Sequence, residues 1–588
     1  MKNISSFTWI LILATLLATC SSPASESDVP FLTTPHEQDP DKNYTATFEE
    51  VVNFYQQLAK AYPKQLQIGE AGLSDIGEPL YYMTLSTDGI HRAEEARQAG
   101  KLVVFINNAI HPGEPCGVDA SMMLVRDYLQ KDDVRLPEEI VLVIIPMYNI
   151  GGMINRSAYS RVNQNGPVEY GFRGNARNLD LNRDFIKCDS RNALAFNQLF
   201  SRWQPEILID NHTSNGADYQ YTLTLIATQA EKLSKPLGQY LRERMLPHFY
   251  EDLPNRGWPI TPYVYSNGPP ETGIYGFLDL PRYSTGYATL HHTIGFMPET
   301  HMLKPFGDRV ESVYQFMQSA IEVANTDREQ IQTARSEAIA QDRRADSMAI
   351  NWSLDQSKVD TFSFKGYTAS RRRSEISGQE RLFYDRDQPF ERDVALFDYY
   401  QPNLTVDVPR AYIVPATWGG VIERLRNNGV FMTELEKDTT LNIEHYYIED
   451  YDTRDRPYEG HYLHRNIEVR QVQRAWPYRA GDFYIPTDQD AVRYIVETLE
   501  PQAPDSYFAW NFFDAVLQQK EGFSDYVFED LALEYLNDHP EIAEELELAK
   551  ASDPDLAANG RAQLNFIYKR SPWYEPTAFL YPVGRVLE

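Results

Sequence analysis

Cysteine and basic residues are both scarce in this chain. Only three cysteines occur in 588 residues, which excludes a disulfide framework as the main source of stability. Lys and Arg number 55 against 84 Asp and Glu, and the net charge of -29 argues against nucleic acid or an anionic lipid surface as a partner. The composition is otherwise globular, with 42% hydrophobic residues, and the length predicts two or three domains.

Long apolar stretches are lacking too. The apolar run at residues 7–18 is too short to span a bilayer as a mature helix, and it ends in a Leu-Ala-Thr-Cys sequence that resembles the lipobox of a bacterial lipoprotein. We therefore expect a signal peptide over 1–20, a lipid anchor on Cys20 and a polar tether over 21–40. The protein would then be exported and held at the membrane, in the periplasm or at the cell surface. The alternative is a plain secretory signal that is cut nearby.

Strand-like and helical segments alternate in the first half of the chain. Residues 102–106 and 140–146 are continuous apolar runs, typical of strands that are buried on both faces. The alternation predicts an α/β fold with a mixed, largely parallel sheet flanked by helices. A long polar helix is expected over about 309–346. Short aromatic- and Thr-rich strands, followed by helices that include 507–517, predict a C-terminal α+β region whose role the sequence leaves open.

A His and a Glu follow the first of these strands. His111 and Glu114 are a neutral imidazole and a carboxylate, which are ligands that a catalytic zinc takes together with a third ligand from elsewhere. The spacing alone is not specific, since His248 and Glu251 repeat it at the end of a helical pattern. The alternative interpretation of His111 is a strand-end residue in a tight Pro-Gly turn.

Other strands of the first half also end in residues of the right chemistry. The apolar strand at 206–209 leads into His212, and a third apolar strand ends in Glu299, which is suited to act as a base for water. His291 and His292 compete with His212 as a third ligand, but residues in such a loop are more often structural. For Glu299 the alternative is a surface residue at the start of a loop.

A polar segment between these strands carries further candidates. Asn182 and Arg183 form an amide and guanidinium pair suited to a planar carboxylate. Asp180 is suited to orient a ligand His through its second ring nitrogen, and Arg161 to polarise a carbonyl oxygen. In an exported protein, Cys116 and Cys188 form either a disulfide or two buried free thiols.

The order His-x-x-Glu, Arg, Asp-x-Asn-Arg, His, Glu resembles the zinc carboxypeptidases, the M14 metallopeptidases. The resemblance covers roughly residues 40–325. It predicts a carboxypeptidase domain over 41–325, a helical linker over 326–350 and an accessory region over 351–588. By this resemblance His111, Glu114 and His212 are the ligands of Zn2+, and Asp180 is the partner of the first ligand His.

The resemblance also implies roles for the substrate-binding residues. Arg161 matches the arginine that stabilises the oxyanion, Asn182 and Arg183 match the residues that grip the terminal carboxylate, and Glu299 matches the general base. The family has a mobile tyrosine that closes over the substrate. Three tyrosines, Tyr275, Tyr283 and Tyr287, lie in that region. We prefer Tyr283, with Tyr287 close behind, and spacing does not decide between them.

We therefore expect a zinc-dependent metallocarboxypeptidase that hydrolyses the C-terminal peptide bond of peptides with a free terminal carboxylate. Cell-wall peptides, which also end in carboxylates, are a candidate substrate of such a carboxypeptidase. One alternative function is that of a deacylase of the same fold that acts on N-acyl amino acids. A second is a non-catalytic peptide-binding lipoprotein. Intact ligands together with Glu299 argue against the second, since a binding protein needs no base.

Overall fold

The computed structural model describes residues 29–587. The predicted signal peptide and the lipid anchor at Cys20 lie outside the described residues. Among the helices of residues 29–587, none combines the length and the apolar character that a membrane crossing needs.

Helices occur throughout the described residues. The α-helices are α1 Pro35–Gln38, α2 Phe48–Ala61, α3 Ala93–Gln98, α4 Cys116–Gln130, α5 Ile150–Ile154, α6 Arg191–Trp203, α7 Lys235–Tyr240, α8 Leu246–Asn255, α9 Ser284–Leu290, α10 Phe306–Thr326, α11 Arg328–Asp342, α12 Gly419–Asn427, α13 Val492–Leu499, α14 Asp525–Asp538, α15 Pro540–Ser552, α16 Pro554–Ala558 and α17 Gly560–Tyr568. A π-helical turn, Leu241–Met245, joins α7 to α8.

Strands form both halves of the molecule. They are β1 Leu66–Leu73, β2 Pro79–Leu85, β3 Leu102–Asn107, β4 Ile140–Ile145, β5 Ile207–Asp210, β6 His212–Ser214, β7 Leu223–Ala227, β8 Ile260–Pro262, β9 Ile274–Tyr275, β10 Ile294–His301, β11 Ser347–Leu354, β12 Asp360–Arg373, β13 Glu380–Phe397, β14 Tyr400–Asp407, β15 Ala411–Val414, β16 Thr433–Glu434, β17 Thr439–Thr453, β18 His464–Tyr478, β19 Phe483–Pro486 and β20 Gly584–Val586.

A nine-stranded sheet is the largest in residues 29–587. Its order is β1-β2-β4-β3-β5-β10-β7-β8, with β6 paired to β10. The central strands β4, β3, β5 and β10 run parallel, whereas β2 and β7 pair antiparallel with their neighbours β4 and β10. The prediction of a mixed, largely parallel sheet flanked by helices is therefore confirmed.

Helices cover both faces of this sheet, which is why every residue of β3 is buried. Val104 and Ile106 pack in a cluster with residues of α2, α4 and α10. Val103 and Phe105 point the other way and pack with residues of α6. Because successive side chains of a strand alternate between faces, a strand covered on both sides must be apolar throughout.

The carboxyl ends of the parallel strands meet at one edge of the sheet. The loop that follows β3 leads to His111 and Glu114, β6 begins at His212 directly after β5, and β10 carries Glu299. In open α/β sheets this edge is where ligands bind. Candidates that lie far apart in the sequence are therefore brought to one place.

The C-terminal half is rich in β-structure, and its strands are longer than expected. β12 and β13 form one antiparallel hairpin, and β17 and β18 form another. The prediction of short strands is wrong here. Two helix predictions also differ from the structure: 309–346 is two helices, α10 and α11, that meet at Asp327, and 507–517 consists of turns with one 3-10 segment, Asp514–Val516. One buried cluster includes residues of both halves, such as Phe196 and Trp510.

Candidate active site

Three candidate metal ligands come together at the carboxyl edge of the sheet. One ligand atom from each of His111, Glu114 and His212 lies within 4.8 Å of the other two, and all three residues are buried. His111 and Glu114 lie between β3 and α4, and His212 begins β6. They meet because β3 and β5 are neighbours in the sheet.

Two buried aspartates orient the histidines. His111 Nε2 lies 2.8 Å from Asp180 Oδ1, and His212 Nε2 lies 2.9 Å from Asp210 Oδ2. Each ring therefore turns its Nδ1 toward Glu114, at 3.3 Å for His111 and 3.0 Å for His212. A carboxylate on one ring nitrogen fixes the tautomer and leaves the other nitrogen to bind a metal.

The donor set fits zinc. Two imidazoles and one carboxylate make up the ligand set of a catalytic zinc site, in which a fourth position stays open for water or substrate. His111 Nδ1 is buried and makes no hydrogen bond of good geometry among the described residues, although Glu114 Oε1 lies 3.3 Å away. A buried polar atom without a partner is unfavourable unless something else binds it, so this nitrogen is suited to hold the ion.

Two arginines contact the carboxylate of Glu114. Arg161 Nη1 donates to Glu114 Oε1, and Arg173 Nη1 lies 3.3 Å from the same oxygen. Burial raises the pKa of Glu114, but the charge of Arg161 and the contacts with His111 and His212 outweigh it and hold the pKa well below its usual range. Glu114 is therefore ionised, as a metal ligand must be.

The two arginines differ in how much of each guanidinium is free. Arg161 also donates Nη2 to the backbone oxygen of Thr213 at 3.1 Å, and its side chain is 18% exposed. Arg173 donates Nε to Asp180 Oδ2 at 2.9 Å, and its side chain is 44% exposed. Arg173 was missed in the sequence, although it precedes Asp180 by only seven residues in the same polar segment.

Glu299 lies beside the ligand cluster. It is buried on β10, where it stands opposite His212 in the parallel pairing with β6. Burial raises the pKa of Glu299 to about 7; the charge of His212 opposes the rise and that of Glu114 adds to it. A carboxyl group with a pKa near neutrality is suited both to accept and to return a proton.

Asn182 and Arg183 lie next to Asp180, in a single 3-10 turn, Leu181–Arg183. Asn182 is buried, and its Oδ1 accepts a hydrogen bond from the backbone of Ser284 at 3.1 Å. The Arg183 guanidinium lies 4.4 Å from the centre of the Tyr283 ring. The contacts of Arg183 also include Tyr458 of the C-terminal half, whose hydroxyl accepts from Nε at 3.0 Å.

The structure separates the three candidate tyrosines. Tyr287 is fully buried and donates its hydroxyl to Asn428 at 2.6 Å, which excludes it as a mobile residue. Tyr275 stacks on Phe397 with ring centres 5.1 Å apart. Tyr283 packs its ring against Arg183, a substrate-binding candidate. The choice of Tyr283 as the closing tyrosine stays a prediction.

Several competing candidates lie away from the cluster. His292 contacts Asp342 at 2.8 Å, and His291 packs among aromatic rings such as that of Tyr287. His248 contacts Ser319 at 3.2 Å. None of these three belongs to a metal-binding group in the described part of the chain.

The cysteine alternatives are also resolved for the described residues. Cys116 and Cys188 are free, buried thiols, so the disulfide alternative is wrong. Cys116 Sγ lies 3.3 Å from Thr300 Oγ1, whereas Cys188 Sγ lies 3.0 Å from Asn197 Nδ2. Burial raises the pKa of both thiols, which keeps them protonated.

Asp210 is a further residue that the sequence analysis missed. It precedes His212 by two residues, and successive residues of an extended chain that are two apart point to the same side. That spacing was the available signal. By contrast Tyr458 is separated from Arg183 by 275 residues, so nothing in the local sequence connects them.

Comparison with known proteins agrees with this geometry. The family model Peptidase_M14, described as zinc carboxypeptidase, matches residues 51–219. That range contains the three candidate ligands together with Asp180, Asn182 and Arg183, and it ends before Glu299.

Individual relatives are also carboxypeptidases. Carboxypeptidase 2 of Trichophyton rubrum is 23% identical over 495 residues, covering 78% of this chain and 82% of the relative. Carboxypeptidase 2 of Trichophyton tonsurans is 24% identical, covering 73% of this chain and 76% of the relative. Among solved structures, a metallo-carboxypeptidase from Burkholderia cenocepacia matches with a TM-score of 0.36 and 18% identity, over 48% of this chain and 69% of that one. The match of residues 51–219 to the zinc carboxypeptidase family model, together with these relatives, indicates a metallocarboxypeptidase.

Proposed function

We propose that this protein removes single C-terminal residues from peptides that carry a free terminal carboxylate. The observation that supports it most is the buried cluster of His111, Glu114 and His212 with Glu299 on the adjoining strand. Bound at this cluster, zinc would polarise the scissile carbonyl and acidify a water molecule. The remaining steps belong to side chains of the chain itself.

Glu299 is the general base of this proposal. Its position opposite His212 puts a carboxylate next to the water that attacks the peptide bond. The same group then returns the proton to the leaving amine, so that the amine departs neutral. The Asp180 and Asp210 carboxylates hold the two histidines in one orientation throughout.

Positive charge is needed where the carbonyl oxygen becomes an oxyanion. The sequence resemblance assigns this role to Arg161. We propose Arg173 in preference, because the Nη2 atom of Arg161 is bound to Thr213 whereas that of Arg173 has no acceptor among the described residues. The larger exposure of Arg173 supports the same choice.

Asn182 and Arg183 bind the terminal carboxylate. A guanidinium and an amide together offer several N–H donors in fixed directions, which suits the two oxygens of a carboxylate. Tyr283 covers one face of Arg183 and so closes this end of the site. The enzyme would then select the end of a chain rather than an internal bond.

Mass spectrometry of a defined peptide mixture tests the proposal. The mixture is incubated with the purified protein, with chelator, and with chelator followed by zinc, and each peptide has a matched form with an amidated C-terminus. We expect loss of single C-terminal residues from the free peptides, abolished by chelator and restored by zinc. The amidated forms are expected to react far more slowly.

Each other outcome refutes the proposal in a different way. Loss of an acyl group alone would support a deacylase. No change in any peptide, from a protein that retains stoichiometric zinc, would support a binding protein. Equal cleavage of free and amidated peptides would show that Arg183 does not bind the terminal carboxylate of the substrate.

A further inference from the structure

A turn from the C-terminal half reaches the carboxylate-binding end of the site. We propose that this turn, residues 458–461, is part of the substrate-binding site and that Tyr458 positions Arg183 for the terminal carboxylate. The proposal rests on the proposed function. It assigns a role in the reaction to the C-terminal half, a region that contains none of the site residues predicted from the sequence.

The first support is the set of partners around Arg183. Its Nε donates to the Tyr458 hydroxyl at 3.0 Å, its Nη1 donates to the Asn182 backbone oxygen at 2.7 Å, and its face lies on Tyr283. In the described part of the chain, no protein group accepts from Nη2. A planar guanidinium that is held through Nε, Nη1 and one face keeps its third nitrogen, Nη2, in a fixed direction. Nη2 is where a carboxylate oxygen can bind.

The second support is how firmly Tyr458 itself is held. Its ring stacks on Trp510 at 6.1 Å with an interplanar angle of 20°, and the Arg282 guanidinium lies 5.5 Å from the ring centre. Arg282 in turn forms an ion pair with Asp505 at 2.8 Å. The body of the side chain is therefore fixed by packing, and its hydroxyl is directed at Arg183.

The third support is backbone strain in the turn. Tyr458 and His461 exchange backbone hydrogen bonds of 2.7 and 3.1 Å around Glu459 and Gly460, whose φ angles are 51° and 84°. Two successive left-handed residues suit Asn-Gly, and glutamate is unfavourable there. Glu459 nevertheless occupies the position, and its Oε2 accepts from the backbone N–H of Asp180 at 2.8 Å. Strain of this kind clusters at functional sites.

Both contacts reach residues with a proposed role. Arg183 binds the carboxylate, and Asp180 orients His111. A third contact, between His461 and Asp189 at 2.7 Å, anchors the far side of the turn. His461 thus anchors one end of the turn at Asp189, while Tyr458 and Glu459 at the other end contact residues of the site.

The decisive variant is Tyr458→Phe, which keeps the stacked ring and removes only the hydroxyl. The matched control is Tyr462→Phe, since Tyr462 follows the turn directly and is 51% exposed. Using the free peptide that the wild type cleaves fastest, we expect Tyr458→Phe to raise KM about tenfold, because a hydrogen bond to a charged group is lost. We expect kcat to change less than twofold and Tyr462→Phe to match the wild type.

A double-mutant cycle separates positioning from general stability. In an Arg183→Ala background, the further change Tyr458→Phe should leave KM unchanged, because the group through which Tyr458 acts is already gone. A second variant, Glu459→Asn, suits the left-handed turn and is too short to reach Asp180. We expect it to unfold no earlier than the wild type while kcat/KM falls several-fold.

Three results would overturn the proposal. They are an unchanged KM in Tyr458→Phe, an equal Tyr458→Phe effect with and without Arg183, and full activity in Glu459→Asn. With an active wild type, any of them leaves the proposed function intact. A zinc-loaded wild type that releases no C-terminal residue would instead overturn the proposed function and this proposal with it.

Discussion

Replacing Asp210 with asparagine should weaken zinc binding without removing a ligand. Asp210 is fully buried, and its carboxylate bridges His212 Nε2 at 2.9 Å and Asn107 Nδ2 at 3.0 Å. Burial lowers the pKa of His212, but the charge of Asp210 and its hydrogen bond outweigh this and hold the pKa well above its usual range. The same negative charge makes the imidazole a stronger metal ligand.

The asparagine variant isolates that charge. Its amide oxygen can still accept from His212, while its amide nitrogen meets Asn107. The Oδ1 of Asn107 has no hydrogen-bond partner among the described residues, so a flip of the Asn107 amide provides an acceptor. Both hydrogen bonds survive, and only the charge is lost. Losing such a partner weakens metal binding about 10- to 100-fold, which corresponds to about 1.4–2.8 kcal/mol.

The assay is competition for zinc with a chromophoric chelator at neutral pH. Asp119→Asn is the matched control, because Asp119 is also fully buried and accepts from Thr45 Oγ1 at 2.6 Å. None of its contacts in the described part of the chain involves the three ligand residues. Wild-type zinc affinity in Asp210→Asn, or an equal loss in Asp119→Asn, would refute the reasoning.

Three further predictions concern charge, pH and location. Arg173→Ala should lower kcat about 100-fold, as loss of an oxyanion donor does, and Arg161→Ala should lower kcat less. If steady-state kinetics show the larger kcat loss in Arg161→Ala, Arg161 is the residue that stabilises the oxyanion. Burial, with the charge of Arg474, lowers the pKa of His445 to about 4. Below about pH 6.5 the unfolded state therefore binds more protons than the folded state, and the free energy of unfolding decreases as the pH is lowered. From pH 6.5 to 5 this group should remove about 2 kcal/mol of unfolding free energy, and denaturant titration of His445→Asn should show a shallower decline than the wild type. Cys20→Ser should move the exported protein from the membrane to the soluble fraction on cell fractionation, and an unchanged distribution would disprove the lipid anchor.

Much of the first half could be predicted because its pattern is local. β3 and β4 are apolar throughout since both faces are covered, and that requirement is visible in the sequence alone. The position of His212 directly after an apolar strand follows from the same pattern, whereas the prediction that a strand ends at Glu299 is wrong, because β10 continues to His301 by pairing with β6. The parallel arrangement then brings them to one edge.

What the sequence did not predict depends on distant contacts. The break between α10 and α11 has neither Pro nor Gly; it falls at Asp327, which accepts hydrogen bonds from Tyr240 and Arg244. Tyr458 reaches Arg183 only because the C-terminal half folds against the first half. Contacts of this kind leave no periodicity or spacing in the sequence, so they were invisible before the structure.

The thiols illustrate the same limit. Cys116 and Cys188 are each close in sequence to a candidate motif, which kept a disulfide open as an alternative. In the fold each lies in its own buried environment, one beside Thr300 and the other beside Asn197. Closeness to a motif in the sequence does not bring two cysteines together.

The central claim is a zinc centre at His111, Glu114 and His212 with Glu299 as its base. Its most direct test measures zinc content and C-terminal residue release on the same preparation of Glu299→Gln, beside the wild type. We predict about one zinc per chain in both proteins, with release of the C-terminal residue by the wild type and almost none by Glu299→Gln. Release at the wild-type rate by a zinc-loaded Glu299→Gln would contradict the account.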